Sequence, residues 1–183
     1  MRRIVLFFFV AFLSVTGHAT TCGNTSAPAG HTTSASGITA MSNASRCTPA
    51  SNSTVTDCKV QTGVTGGNVQ CGIYDSDGSA GNPKTLLCQG TPVASVANNY
   101  VTITLSGCPT LTAGHIYYVA HMPSNSTVSF GTTGGGVSYT HSQTYPTMAT
   151  FSFAQTGTTT YPDYLDITAA STSSVPRHPA YIK

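Results

Sequence analysis

Residues 68–121 carry four short apolar runs separated by Gly, Pro, Asn and Asp, and this rhythm admits few folds. Val69, Cys71 and Ile73 alternate with Gln70, Gly72 and Tyr74; Val101, Ile103 and Leu105 alternate with Thr102, Thr104 and Ser106. Side chains that alternate with period two, many of them β-branched, mark half-buried antiparallel strands. Asp75-Ser-Asp-Gly78 and Gly81-Asn-Pro83 supply turn chemistry between the runs, and Pro109 and Gly114 bracket the next connection. No segment keeps a helical period over three turns, and the helix former Glu is absent. The pattern predicts an all-β protein: a jelly-roll-like antiparallel β-sandwich of about eight to ten short strands.

The same reading divides the chain. Arg2 and Arg3 precede an apolar run from residue 4 to 15, and small residues follow through Ala19. This is the layout of a secretory signal peptide over residues 1–19, too short in its apolar part to span a membrane. Residues 20–54 are rich in Ser, Thr and Asn and read as a polar arm, with a first edge strand at 38–41. Residues 55–170 read as the sandwich, with strands at 55–61, 127–130, 137–140, 148–153 and 165–169 and a loop tip at 131–136. Residues 171–183 read as a flexible tail.

Export changes the charge and cysteine arguments. Without Arg2 and Arg3 the seven Lys and Arg become five, against five Asp. A neutral chain with so few charges lacks the clustered Lys and Arg that nucleic acid or an anionic membrane demands. All six cysteines follow the leader at wide spacings, which reads as a disulfide framework in an oxidising compartment. The loop at 75–84 would bring Cys71 opposite Cys88. Cys47–Cys58 is a plausible local pair, leaving Cys22 with Cys108.

The runs C-G-I-Y-D-S-D-G, N-P-K-T-L-L-C and Y-V-T-I-T-L-S-G-C-P-T-L-T-A-G-H-I-Y-Y-V-A, with the closing Y-L-D-I at 164–167, resemble extracellular modules of secreted and surface bacterial proteins. Those modules are similar to carbohydrate-binding jelly rolls. The resemblance spans roughly residues 55–168 and implies a sandwich with Tyr117 and Val119 in its core. It brings no catalytic residues with it, and the chain departs from many sugar-binding relatives in having no Trp.

The residues themselves suggest no catalysis. Five Asp and no Glu leave few carboxylate pairs for glycoside chemistry. G-x-S-x-G is missing, and no Lys-Ser/Thr follows Gly134-Gly-Gly136. His115 and His121 would lie about 20 Å apart on one strand, and these two and His141 read as solvated or edge-strand histidines. Asp75, Asp77 and Asn82 could hold calcium in the turn, against the simpler reading of a capped hairpin; no other cofactor is implied. Tyr139, Tyr145, Tyr161 and Tyr164, set among Ser, Thr and Gln, are the candidate recognition residues, since exposed Tyr pairs an apolar ring with a polar tip. The expected function is a secreted, non-catalytic binding or adhesion module with a glycan or surface protein as partner. The alternative is a structural subunit of an extracellular fibre or coat that self-associates through strand or arm exchange.

Overall fold

The computed structural model describes residues 19–151 and 153–170. The expected leader, apart from Ala19, and the expected tail lie outside them. Thirteen strands among the described residues, each antiparallel to its neighbours, form one continuous sheet that folds over on itself. One layer runs β1 (Ala19–Gly23), β13 (Tyr164–Ala169), β4 (Ser53–Thr62) and β8 (Asn99–Ser106). The other runs β6 (Leu86–Gly90), β5 (Asn68–Asp75), β9 (Tyr117–Pro123), β3 (Ile38–Cys47), β11 (Gly135–Ser142) and β12 (Ala154–Thr159). The layers meet along a seam where Gln89 pairs with Ser106 and Gly90 with Leu105. Two short additions complete the sheet. β2 (Gly30–Thr33) pairs with β10 (Ser129–Thr132), which joins β4 through Phe130 and Thr62, and β7 (Val93–Ala94) pairs with β5.

The predicted alternation holds in β8, where Val101, Ile103 and Leu105 are buried and Thr102, Thr104 and Ser106 are exposed. These apolar residues, with Val60, Leu165 and Ile167, pack across the interior against Val69, Ile73, Tyr117 and Val119. It fails in β5 and β9, which are buried on both faces. Their outer face carries Gly72, Tyr74, Tyr118, Ala120 and Met122, and residues 143–151 and 153 lie over it as an irregular strap rather than the strand expected at 148–153. Met148, Phe151 and Phe153 on the strap complete a second apolar cluster with Tyr74 and Tyr118.

Side chains satisfy much of the strap's backbone in place of a ladder. The Met148 N–H donates to Gln89 Oε1 at 2.9 Å, the Ala149 N–H to Gln143 Oε1 at 2.9 Å, and Tyr74 Oη to the Ala149 carbonyl at 3.1 Å. The Phe151 N–H reaches the Lys84 carbonyl at 3.1 Å. Gly72 makes room for the strap: a Cβ there would come within 2.8 Å of the Met148 sulfur and 3.1 Å of Leu86.

Each disulfide joins the two layers. Cys88–Cys108 closes the seam, Cys58–Cys71 ties β4 to β5 in the middle, and Cys22–Cys47 ties β1 to β3 at the far side. All three expected pairings are therefore corrected. In the β5–β6 hairpin Cys88 faces Ile73, so Cys71 is its diagonal neighbour. Diagonal side chains on adjacent strands are about 7–8 Å apart, too far for a disulfide, whose Cβ atoms need about 4 Å. Cys22 and Cys108 belong to opposite sides of the four-stranded layer, with β13 and β4 between β1 and β8.

The residues expected as a polar arm are built into the sheet. β3 is an interior strand between β9 and β11, not an edge. Hydrogen bonds supply what the arm lacks in apolar area. Asn24 Nδ2 and Ser45 Oγ both donate to the Tyr161 carbonyl, at 2.9 and 2.8 Å, and the Tyr161 N–H donates to Ser42 Oγ at 3.1 Å. At 131–136 the expected loop tip shrinks to Thr133 and Gly134, because Gly131 and Thr132 belong to β10 and Gly135 opens β11.

Two outcomes follow from this packing. Peptide mapping without reduction should recover the links 22–47, 58–71 and 88–108, and the Cys58→Ala/Cys71→Ala variant should lose about 2–4 kcal/mol in urea unfolding; a 71–88 link would refute the layered arrangement. Gly72→Val should displace Met148 and cost about 1–3 kcal/mol, with greater protease sensitivity confined to 143–153. A variant as stable and protease-resistant as the parent would show that the strap does not need the space.

A candidate binding face and a buried histidine–aspartate link

The four-stranded layer turns a polar face outward on the convex side of the sheet. Strand register sets two rows across it. Thr104, Asp57 and Asp166 lie side by side, and Thr102, Lys59 and Tyr164 lie in the next row. Carboxylates directly opposite on paired strands repel, yet both here are engaged: Thr104 Oγ1 donates to Asp57 Oδ1 at 3.0 Å, and Lys59 Nζ lies 3.3 Å from Asp166 Oδ2. Lys59 Nζ also donates to Thr102 Oγ1 at 2.7 Å. At one end of the rows the rings of Tyr100 and Tyr164 meet with centroids 5.2 Å apart and planes inclined by 63°, forming a notch beside the charged groups. Desolvation raises the Tyr100 phenol above its usual range, with smaller contributions from Tyr164 and Asp163; its hydroxyl donates to the Ser26 carbonyl at 3.4 Å.

Of the four tyrosines singled out in the sequence, only Tyr164 lies on this face. Tyr139 is buried edge-on against Tyr118 at 5.7 Å, and Tyr145 packs half-buried in the strap. Tyr161 is buried between the layers, where burial first and the Asp163 charge second push its phenol up to about 12. The expected cluster is thus dispersed: Tyr139 on β11 packs into the second core, Tyr145 lies in the strap against it, and the inward turn at 160–163 buries Tyr161. Tyr100 was missed, although its signal was present: it shares the outward parity of Thr102 and Thr104.

The proposed calcium residues are engaged within the protein. Asp75 Oδ1 meets His115 Nε2 at 2.5 Å, while Asp77 accepts from the Thr85 N–H at 2.9 Å and from Thr85 Oγ1 at 2.5 Å. Slight desolvation opposes ionisation of Asp77, but the Thr85 bonds and the Lys84 charge outweigh it and hold the carboxyl below its usual range. Asn82 takes part through its backbone, its carbonyl accepting from the Gly78 N–H at 2.8 Å and its N–H donating to the Ser79 carbonyl at 3.2 Å, around a 3-10 turn at Ser79–Gly81. This is a capped hairpin. Among the described residues, no group of three or more His, Cys, Asp or Glu side chains could hold a metal ion.

His121 is not the solvated or edge histidine expected. It sits on β9, fully buried, with Nδ1 2.6 Å from Asp163 Oδ2 just ahead of β13. Its ring stacks on Phe130 at 3.8 Å with an interplanar angle of 22°, and Tyr161 meets it edge-on at 4.6 Å. His121 Nε2 and Asp163 Oδ1 have no hydrogen-bond partner. A histidine held by a carboxylate makes two of the three members of a catalytic triad, but a fully buried imidazole has no route to a substrate. The pair is a polar link between the layers. His141, by contrast, is exposed and stacks on Phe151 at 4.1 Å.

Asp163→Ala should cost about 1–3 kcal/mol, because it strips a buried polar group of its partner, and His121→Leu/Asp163→Leu should recover part of that loss. Urea unfolding of the three proteins checks this; an Asp163→Ala variant within about 0.5 kcal/mol of the parent would remove the link from the account of stability. Comparison with known protein families, with curated proteins and with solved structures gives no match, so the assignment of the convex face rests on its own chemistry.

Proposed function

We propose that the chain is an exported, non-catalytic binding module whose convex face takes a glycan. The observation that carries this is the tyrosine notch beside Lys59, Asp57 and Asp166. Aromatic faces stack on the apolar side of a sugar ring, while positioned carboxylates, an ammonium and hydroxyls exchange hydrogen bonds with its hydroxyl groups. The face is also preorganised. Its charged side chains are already held by Thr102 and Thr104, so fewer rotamers are lost on binding. Three disulfides suit an oxidising compartment, in keeping with the leader read from residues 1–19, and the resemblance to carbohydrate-binding jelly rolls points the same way.

A second reading, a fibre or coat subunit, draws on one feature. Among the described residues β12 pairs only with β11; it is largely exposed and carries neither charge nor proline in Ala-Gln-Thr-Gly-Thr-Thr. Charges and prolines commonly protect such an edge from pairing with a second chain. In that case purified protein would form large species that survive mild denaturant.

The tyrosine test follows from burial. Tyr139 and Tyr161 lie in the cores and would report on stability, so the informative variants are Tyr100→Ala and Tyr164→Ala. Each should weaken retention in polysaccharide affinity electrophoresis by about tenfold, a loss of about 1.4 kcal/mol, with unfolding free energy within about 0.5 kcal/mol of the parent. Undiminished retention in both would take the face out of the proposal.

A further inference from the structure

The seam between the layers holds an open depression of about 540 Å³ that the reading above leaves unused. Ser106 pairs directly with Gln89, and directly paired residues share a face of the sheet. The depression therefore opens on the same convex side as the tyrosine notch. The outward row Tyr100, Thr102, Thr104, Ser106 runs about 20 Å along β8 from the notch to its rim.

Its floor is built from two glutamines. Gln70, only 3% exposed, donates through Nε2 to the Gly90 carbonyl at 2.9 Å and to Gln89 Oε1 at 3.2 Å. Gln89 Oε1 accepts a second bond from the Met148 N–H. These bonds fix both carboxamides in orientation, because in each the atom that is bonded defines which end is nitrogen and which is oxygen. What remains is complementary: Gln70 Oε1 is a buried acceptor with no partner, and among the described residues the Gln89 amide nitrogen donates to none. A buried acceptor left unsatisfied costs about 1–3 kcal/mol, and a ligand that donates to it recovers that cost. Leu86, Leu87 and Pro92 add apolar wall.

We infer that this depression recognises the acetamido group of an N-acetylated sugar. A secondary amide presents one N–H and one C=O, the counterpart of Gln70 Oε1 and the Gln89 amide, and its methyl group suits the leucine and proline wall. A simple hydroxyl at the same sugar position has one oxygen for both bonds, where the acetamide offers a separate nitrogen and oxygen, and it brings no methyl. A site built around buried hydrogen-bonding groups discriminates strongly against ligands that leave those groups unpaired. The inference rests on the glycan reading of the convex face and narrows it to N-acetylated chains.

The test compares the tetramer of β-1,4-linked N-acetylglucosamine with the matching glucose tetramer, titrated calorimetrically into the disulfide-bonded chain from residue 20 onward. The acetylated tetramer should bind at least about tenfold more tightly. Gln89→Glu keeps the oxygen that accepts from Gln70 and Met148 and removes the donor, so it should erase the preference. Gln70→Leu should do the same, and a normal unfolding curve for Gln89→Glu guards against a folding artefact in the Leu variant. Tyr164→Ala should weaken both tetramers. Equal binding of the two tetramers, or a preference that survives Gln89→Glu, overturns the acetamido assignment while leaving the face intact. Binding of neither tetramer sinks the glycan reading and this inference together.

Discussion

The structure depends on ties between two layers that neighbouring strands alone could not hold together. The sheet folds over along a seam of only two paired positions, Gln89–Ser106 and Gly90–Leu105. The rest of the contact between layers is side-chain packing, and three disulfides secure it at the seam, the middle and the far side. The His121–Asp163 hydrogen bond adds a polar tie deep between them. Each disulfide closes a loop in a chain that would otherwise be free when unfolded, and the entropic benefit of about 3 kcal/mol per bond is large against the net stability of a domain this size. Crossing the layers also lets each bond hold the fold-over itself rather than a hairpin already fixed by its ladder.

The second constraint is the composition. A chain so rich in Ser, Thr and Asn has little apolar area to bury, and it compensates with buried hydrogen bonds. Asn24, Ser42 and Ser45 converge on the backbone of Tyr161, pulling the 160–163 segment inward and placing Asp163 against His121. The strap over β5 and β9 adds apolar area on the outside of the six-stranded layer; Gly72 leaves space for it, and the Gln89 side-chain carbonyl accepts the Met148 N–H. The strap also determines which face remains free. With the outer side of β5 and β9 covered, the outer face of β13, β4 and β8 stays open and polar.

That division accounts for the functional reading. Residues that sequence logic grouped together, the four tyrosines of the C-terminal third, are parted by the layers: two are buried, one is in the strap and one is on the face. The face gains Tyr100 from a distant strand. The Asp75 and Asp77 pair, close in sequence, serves two different neighbours, while Asp57 and Asp166, far apart in sequence, become cross-strand neighbours held by Lys59 and Thr104. Binding chemistry on a sheet comes from register, and register joins residues that sequence separation hides.

The sequence by itself determined the all-β, antiparallel, disulfide-bonded class, the strands β8 and β13 with their inward residues, and the hairpin turn at 75–84. These depend on local period and turn chemistry, which any short window contains. Tertiary structure alone decided the cysteine partners, the incorporation of β1, β2 and β3 into the sheet, the burial of His121 and the irregular strap from residue 143 to 151. Each of these depends on which strand lies across the interior or over the outer face. A period of two says that a side chain points to one side; only the fold-over decides whether that side meets a disulfide partner, a second core or solvent.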